Sequence, residues 1–179
     1  MEASNYKLKI GDKAPYFKLM ETDGREYTLN DYNKDLLVVF FTCNHCPYAQ
    51  AYEDRINKLV EEYEDKADFL GINSNDAEKY PEDSYEEMKH RKETQGLKFY
   101  YLWDESQEVA EAYGGECTPH FFVFDKNKKL QYQGRMDDNW QEPENVENAE
   151  LKDAIESLLS GKEPDVKETN AIGCSIKWK

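Results

Sequence analysis

Leu36-Leu37-Val38-Val39-Phe40-Phe41 is an unbroken apolar run, and one residue later it meets Cys43-Asn44-His45-Cys46-Pro47. A run of this kind, without alternation, reads as a strand buried on both faces of a mostly parallel sheet. Beyond Pro47, residues Tyr48, Tyr52, Ile56, Leu59, Val60 and Tyr63 recur at spacings of three and four and form one apolar helix face. Pro47 falls where a first helical turn tolerates proline, because the N–H it lacks has no partner there anyway. Two thiols are therefore held between a buried strand and a helix N-terminus, where the helix dipole and free N–H groups favour a thiolate. The thiolate is the reactive form of cysteine, so the order of residues itself points to redox chemistry.

The rest of the chain supplies the layers around this segment. Phe17, Leu19 and Met20 before Thr22-Asp23-Gly24, with Tyr27 and Leu29 after it, read as a β-hairpin. Phe69, Leu70 and Ile72 mark a second buried strand. Ser84 with Glu87 has capping-box spacing and opens a charged helix to about Gln95. A short helix from Ser106 to Tyr113 stops at Gly114-Gly115. Phe121-Phe122-Val123-Phe124 is a further strand, and Leu130 and Tyr132 alternate with polar residues as its antiparallel partner. After an acidic loop from Met136 to Asn148, the stripe Leu151, Ala154, Ile155, Leu158 and Leu159 makes a final helix ended by Gly161. This order predicts an α/β fold with a mixed central sheet flanked by helices. No repeat or linker divides the chain, so one domain is expected over 1–179. Residues 1–30 form its N-terminal β-hairpin extension and 162–179 a C-terminal tail. The apolar end of that tail, Ala171 to Trp178, should dock on the body or on a partner chain.

The formal net charge of −15 decides several questions of partnership. Binding to nucleic acid needs Lys and Arg to neutralise phosphates, and an anionic membrane surface makes the same demand. Neither is an expected partner. No stretch approaches the roughly 20 apolar residues that span a bilayer, and Met1 to Ile10 is polar without a signal core. The expected location is therefore cytoplasmic. In a reducing cytoplasm the four cysteines, Cys43, Cys46, Cys117 and Cys174, do not read as a disulfide framework, and a CxxC there is catalytic or metal-binding. Zinc takes about four ligands, whereas the sequence has no second CxxC and no HxxxH. The expectation is redox chemistry with no metal and no organic cofactor.

Four motifs in sequence carry a resemblance. They are F-T-C-N-H-C-P-Y from Phe41 to Tyr48, C-T-P-H-F-F from Cys117 to Phe122, G-R-M-D-D from Gly134 to Asp138, and G-C-S-I-K-W from Gly173 to Trp178. Together they resemble the thioredoxin superfamily. Within it the match is to the peroxiredoxin-like branch that carries a thioredoxin-type CxxC, related to alkyl hydroperoxide reductase and thiol-specific antioxidant. The resemblance implies a thioredoxin fold. It also implies thiol–disulfide oxidoreduction through Cys43 and Cys46, with a protein or small-molecule disulfide as substrate and a thioredoxin or glutathione system as reducing partner. Pro119, preceded by Thr118, corresponds to the proline that is cis in this fold and packs against the dithiol. Cys46 corresponds to the peroxidatic cysteine of peroxiredoxins. That makes a thiol-dependent peroxidase with antioxidant activity the alternative, with peroxide as substrate. A third reading is a non-enzymatic redox sensor or adaptor that acts through the tail.

The chain also departs from the pattern. Thr42 stands where thioredoxin has a Trp, and Leu37 where it has a buried acid. Peroxiredoxins place a Thr or Ser three residues before the peroxidatic cysteine, and Cys43 occupies that position here, with Thr42 one further back. Cys43, nearer the surface at the helix start, is expected to attack a substrate disulfide, with Cys46 resolving. His45, inside the motif, is expected to stabilise a thiolate and raise the reduction potential above thioredoxin's, about −270 mV. Cys117 and Cys174 are candidate resolving thiols, with small buried cysteine and tail packing as their structural alternatives. Arg135 reads as a surface residue, His90 as solvent-facing, and His120 as lying at the rim of the site.

Overall fold

The computed structural model describes residues 5–179, so the first four residues of the expected N-terminal extension lie outside it. Its strands are β1 (Lys18–Glu21), β2 (Glu26–Thr28), β3 (Leu36–Phe41), β4 (Ala67–Asn73), β5 (Tyr100–Trp103), β6 (Cys117–Thr118), β7 (His120–Phe124), β8 (Leu130–Gly134) and β9 (Cys174–Ser175). Its helices are α1 (Pro47–Tyr63), α2 (Tyr85–Gln95), α3 (Glu108–Tyr113) and α4 (Glu150–Leu159). Seven strands form one sheet in the order β2-β1-β5-β4-β3-β7-β8, and β6 pairs with β9 apart from it. β3, β4 and β5 run parallel, while β7, β8 and the β1–β2 hairpin are antiparallel additions on either side. The sheet is mixed, as expected.

β3 is buried along its whole length, and its alternate residues feed two cores. Leu36, Val38 and Phe40 face a cluster with Tyr52 and Ile56 of α1, Met88 of α2 and Leu151 and Ile155 of α4. Leu37, Val39 and Phe41 face the other, with Val109, Ala110 and Tyr113 of α3 and Phe17 and Leu8 of the N-terminal segment. An unalternated run is what such a central strand requires. Tyr52 is core, as the helix stripe implied, and Tyr48 and Tyr63 are half-buried.

Two features differ from the sequence reading. β5 is an additional strand that inserts between β4 and β1, so the hairpin joins the central sheet through it instead of standing apart. The tail is not merely docked. β9 pairs antiparallel with β6, with Thr118 opposite Cys174 and Cys117 opposite Ser175. A Cβ on Gly173 would lie 2.1 Å from the Thr118 carbonyl oxygen, so only glycine lets the tail approach this closely. No helix among the described residues is long and apolar enough to cross a membrane.

Candidate active site

β3 delivers Thr42 and Cys43 at its C-terminal end, and Cys46 is the N-cap of α1 with Pro47 in the first turn. The Thr42 N–H donates to the Ile72 carbonyl, which fixes the strand end, and the Gln50 N–H donates to the Cys46 carbonyl at 2.9 Å, which closes the first helical turn. The Thr118–Pro119 bond is cis. The Thr118 carbonyl oxygen lies 3.3 Å from the Cys46 sulfur, and the Thr118 hydroxyl lies 3.6 Å from the Cys43 sulfur. The segment from Cys117 to Pro119 therefore covers the dithiol, as the resemblance implied for Thr118 and Pro119.

The two sulfurs differ in charge preference. The Cys46 thiol is pulled well below the ordinary thiol range, first by the hydrogen bond from Cys43 and then by donors that include Cys174, Thr118 and the Ala49 backbone. Cys43 is held well above that range, because the neighbouring Cys46 sulfur favours its keeping the proton and because it is buried. Within the reduced pair the proton is favoured on Cys43 and the negative charge on Cys46. The N-cap position of Cys46 acts in the same direction, since the free N–H groups of a first helical turn stabilise an anion. The charge preference of the pair thus lies on its second cysteine. The expected exposure of Cys43 is absent, with relative exposures of 1% for Cys43 and 0% for Cys46.

Beside the dithiol lies a buried carboxylate that no local pattern singles out. Asp83 is fully buried beside the CxxC loop. It accepts from the Asn44 N–H at 2.7 Å, from the Asn75 side-chain amide at 2.9 Å and from the Asn73 amide at 3.3 Å, and it pairs with His45 Nδ1. The Asn44 side chain in turn donates to the Glu82 carbonyl and accepts from the buried Tyr101 hydroxyl. The His45 ring, half-buried, stacks on Tyr80 at 5.5 Å with the planes nearly parallel. Asp83 thereby holds the loop between the two cysteines and orients its imidazole. It also places a buried acid near Cys43, where Leu37 had suggested none.

Cys43, His45 and Asp83 bring one ligand atom each within 4.8 Å of one another. These are suitable donor types for a transition metal, yet both Asp83 oxygens already accept hydrogen bonds, and a tetrahedral zinc site needs about four ligands.

The remaining candidates separate. Cys117 is buried, points its thiol at the Pro119 carbonyl, and is pushed up to about 12 chiefly by burial. Cys174 packs directly against Cys43, Cys46 and Ala49. His120 is not at the rim. It is completely buried between Tyr6 and Phe122, at ring distances of 4.8 and 4.3 Å, and burial holds its pKa down at about 3. Arg135, expected at the surface, is half-buried and pairs with the buried Glu150, whereas His90 is exposed, as expected. A second arginine, Arg91, forms a two-armed ion pair with Glu53 and lines a cleft of about 370 Å³ beside Asn44, His45 and Gln50.

The AhpC/TSA family matches residues 10–133, a span that contains the strand, the CxxC and the covering Thr-Pro segment. The chain belongs to the AhpC/TSA family. Among AhpC/TSA relatives and similar structures, the chain is 28% identical to the thiol-disulfide oxidoreductase ResA of Geobacillus thermodenitrificans, over 69% of this chain and 67% of that protein. It is 32% identical to a protein of Mycobacterium tuberculosis named as a peroxiredoxin, over 60% of this chain and 65% of that one. A crystal structure of a conserved protein from Geobacillus kaustophilus superposes with a TM-score of 0.90 at 41% identity, covering 100% of this chain and 97% of that one. The sheet order, the CxxC at the head of α1 and the cis proline facing it make the architecture a thioredoxin fold. Membership of this family places the chain among thiol-based redox proteins.

Proposed function

We propose that the protein is a thiol–disulfide oxidoreductase whose redox couple is Cys43–Cys46. The observation that carries this reading is the CxxC pair at the head of α1, with both sulfurs within 3.6 Å of Thr118 beside cis Pro119. The Cys46 thiolate attacks one sulfur of a substrate disulfide, forms a mixed disulfide and expels one substrate thiolate. Cys43 then gives up its proton to a departing thiolate, attacks the Cys46 sulfur and releases the second substrate thiol. The substrate gains two electrons and the dithiol loses two. A thioredoxin- or glutathione-type donor restores the dithiol. Thr118 and Pro119 position the pair, Thr42 and Pro47 fix the two ends of the loop, and His45 with Asp83 sets its shape. The expected setting is the cytoplasm, where such a pair cycles instead of persisting as a static bridge.

The same thiolate supports a second reading, favoured by the family match. As a peroxidase, Cys46 attacks a peroxide oxygen, the O–O bond breaks, an alcohol or water leaves, and Cys43 condenses with the resulting sulfenic acid and releases water. Parallel assays separate the two. For the oxidoreductase, insulin reduction with dithiothreitol as electron source is lost in both Cys43→Ser and Cys46→Ser. For the peroxidase, peroxide consumption in a single turnover is lost in Cys46→Ser and kept in Cys43→Ser. A wild-type protein inactive in insulin reduction contradicts the first reading.

A further inference from the structure

Cys43 and Cys46 are buried, with 1% and 0% exposure, so neither residue presents surface to a disulfide in solution. Of the four thiols only Cys174 is partly exposed. It lies on β9, directly opposite Thr118, and belongs to the same side-chain cluster as Cys43, Cys46 and Ala49. Its side chain packs against the cluster that holds the Cys46 sulfur. Backbone pairing and the close approach of Gly173 to Thr118 fix it there. One thiol thus faces the buried thiolate on one side and solvent on the other.

We propose that Cys174 is a relay thiol, forming a disulfide with Cys46 and so carrying electrons between the buried pair and disulfides or thiols in solution. The proposal rests on the dithiol reading above. In the oxidative direction, Cys174 as thiolate attacks a soluble disulfide, forms a mixed disulfide and expels one thiolate. The Cys46 thiolate attacks the Cys174 sulfur, forms the Cys46–Cys174 bond and expels the second thiolate. Cys43, losing its proton, attacks Cys46, closes the Cys43–Cys46 bond and returns Cys174 as a thiolate. Each step breaks one S–S bond and makes one, so the only net oxidant is the soluble disulfide. Reduction runs through the same bonds in reverse.

The surroundings of Cys174 suit a thiol that works in turn. Burial, and donation to the Cys46 anion, raise its pKa to about 11, while the Lys177 ammonium opposes the rise. Once Cys46 is in a disulfide its negative charge is gone, and burial, the Lys177 ammonium and the Tyr48 backbone remain to act on Cys174.

Oxidised glutathione and peptide mapping without reduction test this in the full chain. In Cys43→Ser, which removes the competing partner, the expected product is an intramolecular Cys46–Cys174 bond. Cys46 recovered as a glutathione adduct, or Cys174 modified beside a free Cys46, overturns the relay. In Cys174→Ser, the rate at which glutathione disulfide closes the Cys43–Cys46 bond is expected to fall about tenfold, equivalent to about 1.4 kcal/mol of barrier. An unchanged or faster rate overturns it. Failure of the wild type to form any Cys43–Cys46 bond removes the dithiol reading itself and the relay with it. A normal Cys43–Cys46 bond without the Cys46–Cys174 bond removes the relay alone.

Discussion

His120 gives a prediction whose size follows from its surroundings. Its ring is fully buried next to Pro119 and stacked on Phe122 and Tyr6. Nδ1 accepts from the Glu116 N–H at 3.3 Å, which places the proton on Nε2, and Nε2 finds no hydrogen-bond partner among the described residues. Nothing there stabilises an imidazolium, so burial lowers the pKa from 6.5 to about 3. In the unfolded chain His120 binds a proton as the pH falls below 6.5, while in the folded chain it stays neutral. The folded state therefore loses stability between about pH 6.5 and pH 3, and none above that window. Integrated from pH 8 to pH 5, the loss is about 2 kcal/mol.

The perturbation is His120→Phe, which keeps the ring stacking and removes the titration. At pH 8 the variant loses the acceptor for Glu116 and also loses an unpartnered buried donor, two effects of about 1–3 kcal/mol each that oppose one another. The diagnostic quantity is the change in the difference between the two proteins with pH, because every other carboxylate and histidine is common to both. Urea unfolding at pH 8 and pH 5 is expected to move the variant's midpoint up relative to wild type by about 1 M at the lower pH, for an m-value of about 2 kcal/mol/M. A difference that stays constant with pH refutes the claim that His120 is held neutral by burial.

Two further substitutions probe the supports of the site. Asp83→Asn keeps the shape but puts an amide where the Asn44, Asn75 and His45 donors converge. It is expected to cost about 2 kcal/mol, a fall in Tm of roughly 4–8 °C by calorimetry, and an unchanged Tm contradicts the role given to this carboxylate. Gly173→Ala drives a Cβ into the Thr118 backbone, where no flexible side chain can yield. Hydrogen exchange is expected to show the β6–β9 amides opening, with stability lower by about 1–3 kcal/mol, whereas native protection of those amides contradicts the close approach.

Much of this architecture was legible in the chain because burial leaves a local trace. β3 has apolar residues on both faces, α1 carries a clean stripe, and Ser84 caps α2 by accepting from the Glu87 N–H, as the sequence pattern indicated. β5 was not legible, because Tyr100-Tyr101-Leu102-Trp103 is short and its place between β4 and β1 is a tertiary outcome. The covering Thr118-Pro119 segment came from resemblance, since nothing local distinguishes a cis proline. Asp83 left no signal. It is one acid in an acidic chain, and its role comes from donors on the CxxC loop and the end of β4 that converge only in the folded state. His120 misled for a related reason. Its neighbour Pro119 covers the dithiol, but strand alternation turns the imidazole away into the core. The assignment of the thiolate to Cys46 likewise depends on Thr118 and Cys174, both remote in sequence.

The central claim is that Cys43 and Cys46 form a reversible two-electron couple poised by a stabilised thiolate. Equilibrating the wild-type protein against graded ratios of reduced and oxidised glutathione, then mapping the bonded fraction by mass, tests it most directly. The account predicts a single transition in a Cys43–Cys46 bond, at a potential above about −270 mV, because stabilising the reduced form makes the pair more oxidising. A transition well below about −270 mV, or no Cys43–Cys46 bond at any glutathione ratio, contradicts it.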